Sequence, residues 1–100
     1  MCKMSREEIL NTLREFKHEY AEKLGIIALG FFGSAARENI LEKPGDVDVI
    51  IRLRKADLFL IAGIKNELEE RLHMPVDIIT YRDSMNQFLK SRIDREALYA

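Results

Sequence analysis

The sequence predicts an α+β fold of α/β type: a small mixed β-sheet of about three strands covered by helices. Three observations predict it. Apolar stripes at three- and four-residue spacing alternate along the chain with short runs rich in β-branched and aromatic residues. Turn-forming residues punctuate the passage from one kind of segment to the next. Finally, 47% hydrophobic beside 33% charged residues in a 100-residue chain match a packed globular protein. That length suits a single domain over residues 1–100, built around one core.

Ser5-Arg6-Glu7-Glu8 fits a capping box, in which a hydroxyl and a carboxylate each satisfy a free backbone N–H at a helix start. Ile9, Leu13, Phe16, Tyr20 and Leu24 then fall on one stripe, and Gly25 suits the left-handed residue that closes a helix. Helix one is expected from about Arg6 to Lys23. The run from Ile26 to Phe32 is continuously apolar, as in a strand buried on both faces. Gly33-Ser34 breaks it, and Ala35 to Asn39 has helix formers enough for a turn or two. Lys43-Pro44-Gly45 is turn chemistry before a second strand, Asp46 to Leu53, with Val47, Val49 and Ile51 on one face.

Asp57 can cap a helix carrying Leu58, Ile61, Ile64, Leu68 and Leu72. His73-Met74-Pro75 ends it, because proline disfavours the helical conformation of the residue before it. Val76 to Tyr81 reads as a third strand. Ser84-Met85-Asn86-Gln87 can form a second capping box for a last helix with Phe88, Leu89 and Ile93. The expected order is α-β-α-β-α-β-α. Leu98 and Tyr99 read as a packed or frayed end, or as a docking segment for another chain.

Composition narrows the chemistry. Sixteen Lys and Arg against seventeen Asp and Glu give a net charge of -1, so no global positive field draws the protein to nucleic acid. With one cysteine, Cys2, and the two histidines His18 and His73, no four-ligand Cys/His zinc site can form. Any metal must be bound by oxygen. His18 and His73 read as a surface histidine and a helix-end dipole partner. The N-terminus turns charged at once without an apolar stretch, which predicts a cytoplasmic protein with no membrane contact. Neither a G-x-x-x-x-G-K-[ST] loop, a G-x-G-x-x-G loop nor a G-x-S-x-G elbow is present. Arg52, Arg54 and Lys55 form a basic cluster that reads as a solvated loop or as a contact for a polyanion or a partner.

Asp46 and Asp48 stand two apart on a predicted strand and therefore point to one face, their Cα atoms roughly 6.6 Å apart. Asp77 opens the third strand among apolar neighbours. If the two strands are adjacent, three carboxylates converge, and such repulsion is relieved by a divalent cation. Hard oxygen ligands suit Mg²⁺ or Mn²⁺. Asp46 reads equally as a turn residue after Pro44-Gly45, and Asp77 as an edge residue after Pro75. Gly33-Ser34 offers close backbone approach, a hydroxyl and the free N–H groups of a following helix, which together suit a phosphate. Arg37 could pair with that phosphate or stand as a solvated charge.

Taken together, Gly33-Ser34-Ala35-Ala36-Arg37, eleven intervening residues after Ser34, Asp46-Val47-Asp48, and a later strand with Asp77 resemble the minimal nucleotidyltransferases of the DNA polymerase β superfamily. Nearly the whole chain is covered. The chain departs from the family's G-S-x-A-R-G and S-D-x-D pattern at Glu38 and at Gly45. The resemblance implies the nucleotidyltransferase fold, with Asp46, Asp48 and Asp77 as catalytic ligands of two Mg²⁺ ions. It also implies that Gly33, Ser34 and Arg37 bind the nucleotide triphosphate, ATP in most small members. AMP would pass to a hydroxyl as pyrophosphate leaves.

The same resemblance implies a toxin-antitoxin role of type VII kind, in which a helical HEPN-domain toxin is the partner and one of its tyrosines receives AMP. Homo- or hetero-oligomers are compatible with this. The alternative is a non-catalytic module that neutralises a partner by contact alone.

Overall fold

The capping box forms as expected: the Ser5 hydroxyl accepts from Glu8 N at 3.1 Å, and Glu8 Oε1 accepts from Ser5 N at 3.4 Å. The computed structural model describes residues 4–33, 40–41, 47–55 and 57–100. The expected short helix over residues 35–39, the turn at 43–45 and Cys2 lie outside them. After a two-residue strand β1 (Met4–Ser5), helix α1 spans Arg6–Leu24 and ends on Gly25 at φ +68°. Its stripe is buried at Ile9, Leu13 and Phe16, and Tyr20 and Leu24 pack against the same core.

Strand β2 covers Ile26–Phe32, β3 Ile40–Leu41, β4 Val47–Leu53 and β5 Val76–Thr80. Between β4 and β5 lies helix α2, Leu58–Leu72, and after β5 comes helix α3, Gln87–Glu96. A four-stranded mixed sheet results, in the order β5-β4-β2-β6, where β6 is Leu98–Tyr99. The fold class stands, with one strand more than expected, because Leu98 and Tyr99 pair antiparallel with Phe31 and Gly30 at the sheet edge. Backbone groups with a free sheet edge in reach are better satisfied there than frayed. Separately, β1 and β3 form a two-stranded antiparallel ribbon.

β4 runs antiparallel to β2 and parallel to β5. Helix α2 makes the parallel pair possible, since parallel strands need a long crossover and a helix supplies it. Alternation along β4 splits the sheet into two faces. Val47, Val49 and Ile51 join Leu29, Phe31 and Val76 under α1 and α2 in the larger core. Asp48 and Ile50 point the other way, where Ile50, Phe32 and Ile93 of α3 make a smaller cluster with Ile79, Tyr81 and Leu89. Each large apolar side chain buried here contributes roughly 1.5–3 kcal/mol.

Two helix details differ from expectation. Leu58 is 85% exposed, and Leu60, Ile64, Leu68 and Leu72 make the contacts of α2 with the core. Asp57 Oδ1 caps the helix through Phe59 N and Leu60 N, which turns Leu58 outward in the first turn. The last helix is capped by Asn86, whose side chain accepts from Phe88 N and Leu89 N, so Ser84 lies before the helix. Among the described residues no helix is long and apolar enough to cross a membrane.

Candidate functional site

Asp48 and Asp77 are partners in the parallel register of β4 and β5. Adjacent strands lie about 4.8 Å apart and partners point to the same face, so the two carboxylates stand side by side. Asp48 is half-buried and Asp77 exposed. Two tethers at the strand entrances set this register. Val47 N donates to Pro75 O at 2.9 Å, and Val76 N donates to Glu69 Oε2 of α2 at 2.9 Å. Pro75, which ends the preceding helical region, thus also offers its carbonyl to the strand that carries Asp48.

Opposite Asp48 on β2 stands Phe32, and Gly33 follows at φ +80°. This backbone region strongly favours glycine. Gly33 is buried, and a Cβ on it would lie 2.6 Å from Asp48 Oδ2 and 3.6 Å from Arg92 Nη2. The glycine therefore permits a close approach between the end of β2 and the carboxylate. Arg92 reaches this point from α3, its guanidinium 5.6 Å above the Phe32 ring and its Nε 3.5 Å from Glu96 Oε1.

Of the residues expected at the site, the fold brings together Gly33, Asp48 and Asp77 on one edge of one face. Asp46, Ser34 and Arg37 lie outside the described residues. Among the described residues no three His, Cys, Asp or Glu side chains converge on a possible metal. The pair Asp48 and Asp77 is an all-oxygen donor set on adjacent strands, which fits a hard divalent cation. Arg92 was visible in the sequence merely as part of a charged stretch on the last helix. Its place depends on how α3 docks through Ile93, and the sequence carries no signal for that.

Farther along the same face, a shallow hollow of about 230 Å³ is lined by Ala28, Ile50, Arg52, Tyr81, Asp94 and Tyr99. Here Tyr81 donates its hydroxyl to Asp94 Oδ1 at 3.1 Å, with Arg52 5.6 Å above its ring. Desolvation, then the Asp94 bond, pushes the Tyr81 phenol above its ordinary value. Of the basic cluster, Arg52 is thus packed on an aromatic ring, and Arg54 ties its backbone N–H to Gly25 O. His18 and His73 are exposed, and His73 closes α2 at φ +56°.

The family model for the nucleotidyltransferase domain matches residues 13–100. The chain belongs to the nucleotidyltransferase domain family. Among its relatives, the protein MJ0126 of Methanocaldococcus jannaschii, whose name assigns it protein adenylyltransferase activity, is 31% identical over 93 residues, covering 92% of this chain and 94% of that one. The protein adenylyltransferase MntA of Thermococcus cleftensis is 28% identical over 100 residues, covering 99% of each chain.

A solved structure described as a minimal nucleotidyltransferase superposes with a TM-score of 0.73 at 29% identity, covering 95% of both chains. The fold also recurs, at a TM-score of 0.68 and 15% identity, in the complex of a tri-AMPylated HEPN toxin of Shewanella oneidensis with an MNT antitoxin. There the match covers 94% of this chain and 70% of that one. As a member of this family, the chain is a nucleotidyltransferase.

Proposed function

We propose that this nucleotidyltransferase is a protein adenylyltransferase that moves AMP from ATP onto a tyrosine hydroxyl of a HEPN-domain partner, and so acts as the antitoxin of a toxin-antitoxin pair. The observation that carries the reading is the in-register pair Asp48 and Asp77 beside Gly33. The naming of the relatives as protein adenylyltransferases supports the substrate class, and the AMPylated HEPN toxin bound to a protein of the same fold supports the partner.

In this reaction the tyrosine oxygen bonds to the α-phosphorus of ATP. The bond from that phosphorus to the bridging oxygen of the β-phosphate breaks, and pyrophosphate leaves with the electron pair. Asp48 and Asp77, with Asp46, would hold two Mg²⁺ ions, which when bound supply positive charge to the transferring phosphoryl group. Asp77, exposed at the strand entrance, is open to the incoming hydroxyl and takes or steers its proton. Gly33, with Ser34 and Arg37, brings the triphosphate against the end of β2. Positioning and charge account for most of the rate in such a transfer.

The test is incubation of the full chain with α-labelled ATP, Mg²⁺ and a candidate HEPN-domain partner protein. Label transfer to a partner tyrosine is expected, and none with Asp48→Ala. Equal results from wild type and Asp48→Ala sink the proposal, and partner binding without any nucleotide binding assigns neutralisation to contact alone.

A further inference from the structure

We infer that Arg92 of α3 is a nucleotide-binding residue of this site, holding the β- and γ-phosphates of the triphosphate and the pyrophosphate formed from them. The inference rests on the nucleotidyltransferase reading above and adds a residue that the motif does not contain. Three elements meet at one point: a Cβ placed on Gly33 would have Asp48 Oδ2 at 2.6 Å and Arg92 Nη2 at 3.6 Å. A triphosphate laid against the Gly33 backbone with its α-phosphate toward Asp48 and Asp77 therefore carries its remaining phosphates past the guanidinium.

The Arg92 side chain is held for that role from two sides. Its Cζ lies over the Phe32 ring, 5.6 Å from the centroid, and its Nε is 3.5 Å from Glu96 Oε1. The cation–π contact and the ion pair hold the side chain, and Nη2 is the Arg92 atom that comes close to Gly33. Arginine suits this task because its planar donors match phosphate oxygens two at a time. At 44% exposed, the side chain also remains reachable by a ligand arriving from solvent. As the α–β bond breaks, negative charge builds on the departing pyrophosphate, where the guanidinium N–H groups donate.

The experiment is equilibrium binding of ATP and of AMP to the full chain in Mg²⁺, for wild type, Arg92→Ala, Arg92→Lys and Asp48→Ala. With Arg92→Ala, ATP affinity is expected to fall about tenfold or more, the scale of one lost charge-assisted contact, while AMP affinity stays within about twofold. Arg92→Lys keeps the charge but loses the fork and is expected to fall between. Melting curves identify any variant that does not fold, and Arg92→Lys, which retains a cation over Phe32, then carries the comparison. ATP binding unchanged by both substitutions, or ATP and AMP weakened alike, overturns the inference. If Asp48→Ala removes the Mg²⁺ dependence of ATP binding while the Arg92 variants are silent, this inference alone fails. If the wild type binds no ATP, the proposed transfer of AMP from ATP fails with it.

Discussion

Asp48 and Asp77 face each other across the parallel β4–β5 pair, one register step after Val47 and Val76. Two acidic side chains as direct neighbours on one sheet face repel, and the fold holds them there through backbone and side-chain tethers at Pro75 and Glu69. Asp77→Asn is therefore expected to stabilise the metal-free protein by about 0.5 kcal/mol, a melting rise of roughly 2–4 °C, while abolishing most transfer activity. Mg²⁺ should raise the melting temperature of the wild type more than that of the variant. Identical Mg²⁺ responses would count against a shared cation.

Gly33 sits where an alanine meets both a left-handed backbone and a carboxylate 2.6 Å from its Cβ. Gly33→Ala is expected to cost about 1–3 kcal/mol in urea unfolding. Part of that loss comes from contact with Asp48, so the double variant with Asp48→Ala should lose about 0.5–1 kcal/mol less than the two single losses together. Strict additivity would show that the two residues do not touch.

Gly30 lies under β6, and a Cβ there would be 2.5 Å from Leu98 O and 3.0 Å from Tyr99 Cδ1. Since the nearest atom is backbone, the edge strand must move. Gly30→Ala is expected to destabilise by roughly 1–3 kcal/mol and to speed hydrogen exchange at Ala100, whose N–H donates to Leu29 O at 2.8 Å. Unchanged exchange at Ala100 would mean β6 tolerates the methyl group.

Glu69 links helix α2 to the first residue of β5. The Val76 N–H holds its carboxyl below the ordinary 4.5; partial desolvation opposes this and Lys65 assists. A depressed folded pKa means the carboxylate adds stability above about pH 4.5 and loses it as pH falls through the folded value. Urea midpoints of wild type and Glu69→Gln should thus differ at neutral pH and converge in acid. A gap that persists to low pH would place the effect in packing instead of charge.

Much of this arrangement is legible in the residues. Ser5 and Glu8 form their capping box, Gly25 closes α1, Asp57 caps α2, and Val47, Val49 and Ile51 share the buried face as alternation requires. Local hydrogen bonds and a two-residue period decide these features. Leu58 was less legible, because a cap residue one position away turned it to solvent whatever its hydrophobicity. Tyr99 and Leu98 were open to either reading, since a two-residue strand exists merely because β2 offers it an edge.

The sequence alone determined helices α1, α2 and α3, the main strands and the two-faced β4, since caps and period act over a few residues. It determined the family as well, through motifs read along one line. Tertiary structure alone decided that β4 and β5 are adjacent and parallel, with Asp48 beside Asp77, and that α3 docks by Ile93 so that Arg92 overlooks Gly33. These are long-range choices. They follow from how two apolar faces of one sheet are covered, a matter of packing among segments far apart in the chain, which no local pattern encodes.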